Sequence, residues 1–375
     1  MAKRTLAQVC ETVLSVRAHV AAGLKVSEAS KRAGLTAGTY KRWLEVYAAQ
    51  DLPAYVLPAP LRGVMVLSGD GATLFSVGVH ERGYELIRYD ALSGRETARA
   101  TFDPEVESNA WLEVTHAAAN EDGTQLLCVS NTGALFAWNL STLSLSRSPH
   151  TLQSLGTEPM GRGSSSHNTR LWSRVSIAPD LKHLAVWSRQ EQDSEHSPSL
   201  LRVWRIADNI AVFEKSFASI FSAYRIEFHP TRPLIATLGI NKLVCVMDFV
   251  QGHTLIESGP QAHDVSFGPR DTLHYDDWYG KTQELDYAKG TTRELANAWG
   301  SIASLTDRFV TTAVQSVKCW RGAKPKCTRT LTLEGIVETT LSRDGRLVVV
   351  RADRVCVWDL DRAPVTVASA ADPAT

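Results

Sequence analysis

The 375-residue sequence has no excess charge of either sign: 40 lysines and arginines balance 40 aspartates and glutamates. A chain that bound a polyanion over its whole surface would carry a basic excess, and an acidic disordered tail protein the reverse. No apolar run approaches the roughly 18–20 residues of a membrane-spanning helix. The first residues are basic but have no apolar stretch behind them, and Glu11 intervenes, so no secretory signal is read and a cytoplasmic protein without a membrane partner is expected. Cysteine is sparse: Cys10, Cys128, Cys245, Cys319, Cys327 and Cys356, with no Cys-x-x-Cys pair. Four of them sit in strand-like apolar runs, so reduced core thiols are expected rather than disulfides or zinc ligands. Catalytic motifs are missing as well: there is no Gly-x-x-x-x-Gly-Lys-Ser/Thr loop, Gly-x-Ser-x-Gly elbow or His-Glu-x-x-His helix. No enzymatic activity, cofactor or metal is therefore expected. His263-Asp264 and His229-Pro230 read as structural pairs, and GRGSSSHNTR (161–170) precedes a strand instead of opening a helix, which makes it an insertion rather than a phosphate cradle.

What the chain does have is 44% hydrophobic and 21% charged residues, the composition of a globular protein with a large core. Its neutrality is uneven. Residues 1–50 hold Lys3, Arg4, Arg17, Lys25, Lys31, Arg32, Lys41 and Arg42 against Glu11, Glu28 and Glu45, an excess of five positive charges, and the rest of the chain carries the opposite excess. Such asymmetry points to a nucleic-acid-binding segment.

The same 50 residues carry the helical periodicity. Val9, Val13, Val16 and Val20 share one face, with Thr5 as N-cap and Gly23 as stop. Ser27 is read as the N-cap of a short second helix ending at Gly34, and Thr36 as the N-cap of a third that buries Tyr40, Trp43, Leu44 and Tyr47. A long helix, a short helix, a tight turn and a third helix is the helix-turn-helix order, in which the last helix enters the major groove. The run VSEASKRAGLTAGTYKRWLEVY resembles the helix-turn-helix of insertion-sequence transposases, with Val26, Ala29, Gly34, Leu35, Tyr40 and Trp43 as the packing frame. The resemblance implies DNA binding. Lys25, Ser27, Lys31, Arg32 and Thr36 are the expected phosphate and register contacts, and Thr39, Lys41 and Arg42 the expected recognition-helix contacts. It also implies a mobile-element or anti-phage defence setting. The rival reading is a small bundle, residues 1–50, that docks a protein or forms a homo-oligomer.

Residues 51–61, with Pro53, Pro58 and Pro60, read as a stiff linker. Beyond them short apolar strands alternate with turns. One unit recurs: a strand, a turn centred on aspartate or proline, a second strand, and a third ending in an aromatic or aliphatic residue followed by a polar one. IVETTLSRDGRLVVVRADRVCVWDL is the clearest copy. The terminal pair occurs seven times: Tyr89-Asp90, Trp138-Asn139, Trp204-Arg205, Met247-Asp248, Leu285-Asp286, Trp320-Arg321 and Trp358-Asp359. With a fourth strand after most copies, the period of roughly 44 residues is that of a propeller blade. Residues 62–375 thus resemble the WD-repeat family. The expected fold is mainly β, a seven-bladed propeller preceded by a small all-α helix-turn-helix domain. Either residues 54–57 or residues 364–369 would supply the last blade's outer strand. The ring is expected to hold a protein partner, and the cluster His274, Tyr275, Trp278 and Tyr279 supplies the candidate anchors, since exposed Trp and Tyr are typical of interfaces.

Overall fold

The computed structural model describes residues 4–80, 83–102, 114–130, 134–142, 144–151, 175–189, 199–217, 223–239, 244–257, 259–277, 279–298 and 300–367. Residues 161–170, residues 190–198 and Trp278 lie outside these. The described residues form seven four-stranded antiparallel sheets after three helices. The sheets are seven blades, spanning 64–102, 114–151, 175–217, 223–256, 265–296, 301–332 and 338–359. Strands within a blade are lettered a to d in chain order, and a-strands of successive blades touch one another around the axis. The a–b and c–d turns therefore share one face, called lower here, and the b–c hairpins and d–a connections share the upper face.

The repeated polar residue has a local cause. Where the c-strand ends in Asp or Asn, the side chain accepts the open N–H groups of the following turn. Asp90 accepts from Ser93 at 2.8 Å, Asn139 from Ser141 at 3.0 Å, Asp248 from Val250 at 2.9 Å and Asp359 from Asp361 at 3.0 Å. The residue before it points inward: Trp358 is 1% exposed and Met247 fully buried. The aspartate of the a–b turn works similarly. Asp344 accepts the Ser342 hydroxyl and the Arg346 N–H, which sets up the left-handed Gly345 (φ 73°). Arg270 (φ 58°) takes a left-handed conformation in the a–b turn of the fifth blade without being a glycine.

Six blades take their strands consecutively. The seventh is completed from the N-terminal side: Tyr55–Pro58 pairs antiparallel with Arg354–Asp359, Tyr55 opposite Val357 and Pro58 opposite Arg354. Of the two closing strands left open by the sequence, the earlier one does the closing. The later segment instead folds back on residues 50–52, with Leu52 N–H to Val365 O at 2.8 Å and Val367 N–H to Gln50 O at 2.9 Å. The 51–61 segment is thus not a free linker. Asp51 is buried and makes a two-pronged ion pair with Arg329 of the sixth blade, at 2.8 and 2.9 Å.

Helices α1 (Leu6–Ala21), α2 (Val26–Arg32) and α3 (Ala37–Val46) precede the ring. Thr5 caps α1 in a reciprocal capping box with Gln8. Both α1 and α2 stop the same way. Gly23 (φ 91°) and Gly34 (φ 71°) turn left-handed, and Leu24 and Leu35 N–H groups reach back to His19 O (3.1 Å) and Ser30 O (2.9 Å). The helices share a core with the ring: Val9, Cys10, Val13, Val16, Ala29 and Tyr40 pack with Leu52 and Val367, while Ala7 joins the cluster of Val350, Cys356 and Trp358 in the seventh blade. At the upper rim, Thr5 donates to Asp353 (2.8 Å) and Arg354 pairs with Glu11 (3.1 Å). All six cysteines are free thiols, five of them buried and Cys327 exposed.

Candidate nucleic-acid interface and partner surface

The α2–turn–α3 unit presents its basic side chains outward. Lys25, Ser27, Lys31, Arg32, Thr36, Lys41 and Arg42 are exposed, and Thr39 is half-buried. Their shared placement follows from what is buried: Ala29 and Ser30 of α2 and Tyr40 of α3 face α1 and fix the opposite faces outward. Ser30 fits this apolar side because its hydroxyl donates to Val26 O at 2.7 Å.

Two expectations need correction in detail. Ser27 is not the N-cap of α2. Lys25 holds that position in extended conformation (φ −65°, ψ 146°) with no side-chain cap, because the Gly23-Leu24 reversal starts the helix two residues earlier than the Ser27 rule implied. Thr36 does cap α3, but the capping engages it: its oxygen accepts the Thr39 N–H at 3.1 Å and lies 2.9 Å from the Thr39 hydroxyl. The two threonines hold each other and present backbone more than free hydroxyls. Arg32 bonds Glu28 at 3.3 Å, an exposed pair worth about 0.3–0.5 kcal/mol and easily exchanged for a phosphate.

Sequence reasoning missed Arg4. Its guanidinium lies 5.5 Å over the Trp43 ring and donates to the Thr12 hydroxyl at 3.0 Å, and it reaches the α2–α3 turn at Gly34. Arg4 is exposed, so it adds a held positive charge at that turn. No local pattern signals this, because the contact joins the chain's start to the third helix.

The predicted partner anchors separate. His274 and Tyr275 are each 4% exposed and cannot serve as surface anchors. Their strand, Thr272–Asp276, has neighbours on both faces: Tyr275 packs with the fourth blade, and His274 lies edge-on to Phe309 of the sixth (5.1 Å). Strand alternation, which on a one-sided sheet would turn one of them outward, here buries both. Tyr279, at the b–c hairpin tip of the same blade, is 85% exposed. The backbone holds it there, since Asp277 accepts the N–H groups of both Tyr279 (2.9 Å) and Lys281 (3.0 Å).

Tyr279 is not isolated. Val314 at the sixth blade's b–c hairpin, Val337 on the connection into the seventh blade, and Leu61 on the connection into the first are also strongly exposed. All four stand on upper-face turns of consecutive blades. The available signal was an apolar residue at a hairpin tip, where turn chemistry favours Gly, Asn or Asp.

No known sequence family and no curated protein matches the chain. Solved structures match its fold. A chain of the mitotic checkpoint complex has a TM-score of 0.58 at 14% identity, covering 83% of this chain and 95% of that one. U3-55K has a TM-score of 0.53 at 16% identity, covering 81% and 98%. The RRP9 WD40 repeats have a TM-score of 0.53 at 16% identity, covering 83% and 99%. The fold is therefore a seven-bladed β-propeller that matches WD40-repeat structures, with three short helices before the ring. At these identities the likeness is one of fold. No described helix is long and apolar enough to cross a membrane.

Proposed function

We propose that this chain is a non-enzymatic adaptor that binds duplex DNA through α2 and α3 and a protein through the upper face of its ring. The observation that carries the DNA reading is the set of five exposed basic side chains, Lys25, Lys31, Arg32, Lys41 and Arg42, on two helices whose opposite faces are locked to α1. Lys25, Lys31 and Arg32 would meet phosphates, and Lys41 and Arg42 base edges or the backbone lining the groove. One such unit spans a short half-site, so affinity rests strongly on phosphate contacts and falls with salt. The transposase-like run implies a mobile-element or defence setting. The upper-face arc of Tyr279, Val314, Val337 and Leu61 supports the protein-binding half, because exposed apolar groups aligned along one rim mark interaction surfaces. That the ring likeness extends to a chain of a multi-protein complex is consistent with this.

The test is a mobility shift on duplex DNA at stepped salt. Lys41→Ala with Arg42→Ala is expected to weaken binding at least tenfold and to reduce the salt slope by about one per lost phosphate contact. Unchanged affinity and slope would remove the DNA role.

Val26 (47% exposed) and Val46 (62% exposed) favour a second reading, in which the helices join copies of the chain. Light scattering of the full chain and of Val46→Asp distinguishes the two. A mass that drops in the variant, with DNA binding absent in both, supports assembly. Deleting residues 1–50 is a poor substitute, since the ring would lose Ala7 from its core and the segment flanking Asp51.

A further inference from the structure

Among the described residues, every blade-to-blade contact but one is filled by a large apolar cluster. Between the fifth and sixth blades the buried apolar side chains among the described residues are only Leu295, Ala296 and Phe309, flanked by Ala298 and Trp320. In their place the fifth blade turns a polar row toward its neighbour. His274, Glu284 and Arg293 stand directly opposite one another on strands b, c and d, so all three project from the same face. His274 Nε2 lies 3.5 Å from Glu284, whose other oxygen accepts from Arg293 at 2.6 Å. The His274 ring has no partner for Nδ1, and its side chain is 5% exposed. Gly268 makes the arrangement possible, since a Cβ there would come within 3.0–3.1 Å of the imidazole.

Burying such a row where the other blades bury Val and Leu costs stability. Beside it opens a cleft of about 630 Å³, on the lower face, within the range of small-molecule sites. The two walls differ. The sixth-blade wall is apolar at Leu305, Phe309, Ala323 and Pro325 and also carries Thr306 and Asp307. The fifth-blade wall includes two arginines, Arg270 and Arg293. Arg293 is half exposed and spans to Ala323 O at 3.1 Å, and Arg270 is exposed, with no described residue pairing its guanidinium. Of the aspartates lining the cleft, Asp271 is matched by Arg232 at 2.5 Å and Asp286 by Lys289 at 2.7 Å, while Asp307 stands 3.8 Å from Arg321.

We infer that this cleft binds a carboxylate carried on an apolar body, the body against Phe309 and Leu305 and the carboxylate between Arg270 and Arg293. A planar guanidinium fork matches a carboxylate in two hydrogen bonds, and among the described residues Arg270 is the one cation of the rim without a counter-charge. The free small acid and the apolar C-terminal residue of a peptide share this chemistry. The inference does not depend on the DNA or protein roles above.

Isothermal titration of the full chain with N-acetyl-phenylalanine, with its amide, and with an octapeptide ending in phenylalanine tests it. Saturable binding of the acid, at least tenfold weaker for the amide, is expected, and Arg270→Ala should lower affinity at least tenfold with unchanged thermal unfolding. Binding of the peptide but not of the free acid keeps the chemistry and assigns the source to a chain terminus. Arg293→Lys, which keeps the charge and loses the fork, should weaken binding less than Arg270→Ala. No binding of acid or peptide at millimolar concentration, equal binding of acid and amide, or an Arg270→Ala variant that binds like the parent overturns the inference.

Discussion

The contacts on the two sides of the sixth blade are built by opposite means. Toward the seventh blade it presents Val310, Val317, Cys319 and Leu331 to Val348, Val350, Cys356 and Trp358, a dry cluster that also takes in Ala7 of α1. Toward the fifth blade Phe309 and Trp320 meet a small group, Leu295, Ala296 and Ala298, with His274 edge-on to Phe309 and paired to Glu284 and Arg293 behind it. The ring therefore does not need a filled apolar contact at every joint. Where the chain is closed and the helices attach, packing is dense. Where it is thin, the neighbouring blades are spanned by Arg293 reaching Ala323 O, and space is left for a cleft.

The largest expected effect tests the closed side. Asp51→Ala strands Arg329, whose side chain is 8% exposed, and should cost about 3–5 kcal/mol in denaturant unfolding. A loss below 1 kcal/mol would mean the pair does not anchor the N-terminal segment. Next, Leu331→Ala on the dense side should cost about 2–5 kcal/mol, whereas Leu295→Ala beside the cleft should fall at or below the low end, because water already reaches that space. Equal costs would break the contrast.

Acid titration gives a smaller and window-specific effect. The side-chain hydrogen bond with His274, backed by Arg293, holds Glu284 down at about 2 from its usual 4.5. Its depressed value contributes stability above pH 4.5 that is lost as pH falls toward 2, and Glu284→Gln should flatten the unfolding curve in that window. His229 titrates elsewhere: burial lowers it to about 4 from 6.5, so the unfolded chain binds the proton first and stability falls between pH 6.5 and 4. His229→Asn keeps an acceptor for the Thr231 and Arg232 N–H groups and should lessen only that fall. The smallest effect is at the surface, where Glu28→Ala should change stability by under 0.5 kcal/mol.

The ring was legible because its repeat is local. Each turn aspartate and each strand-ending aromatic acts within a few residues of itself, so all seven units could be found by spacing. The three helices were legible for the same reason, since caps and stops are short-range. Closure by Tyr55–Pro58 was not, because the two possible strands look alike and the choice depends on partners at the other end of the chain. The Asp51–Arg329 pair and the Arg4–Trp43 contact escaped likewise. The burial of His274 was hidden by a wrong premise about exposure, as a blade has no solvent side. The polar residues themselves gave the clue, since His274 and Glu284 interrupt strands that elsewhere read as apolar.

Ring closure also sets a schedule. Tyr55–Pro58 leaves the ribosome about 300 residues before Arg354–Asp359, its pairing partner. Throughout that interval the strand keeps an unpaired edge and the helices lack the blade they rest on. An unpaired edge invites association with another chain. The early strand carries its own protection: Pro53, Pro58 and Pro60 bracket it, and none of them can donate to a foreign sheet.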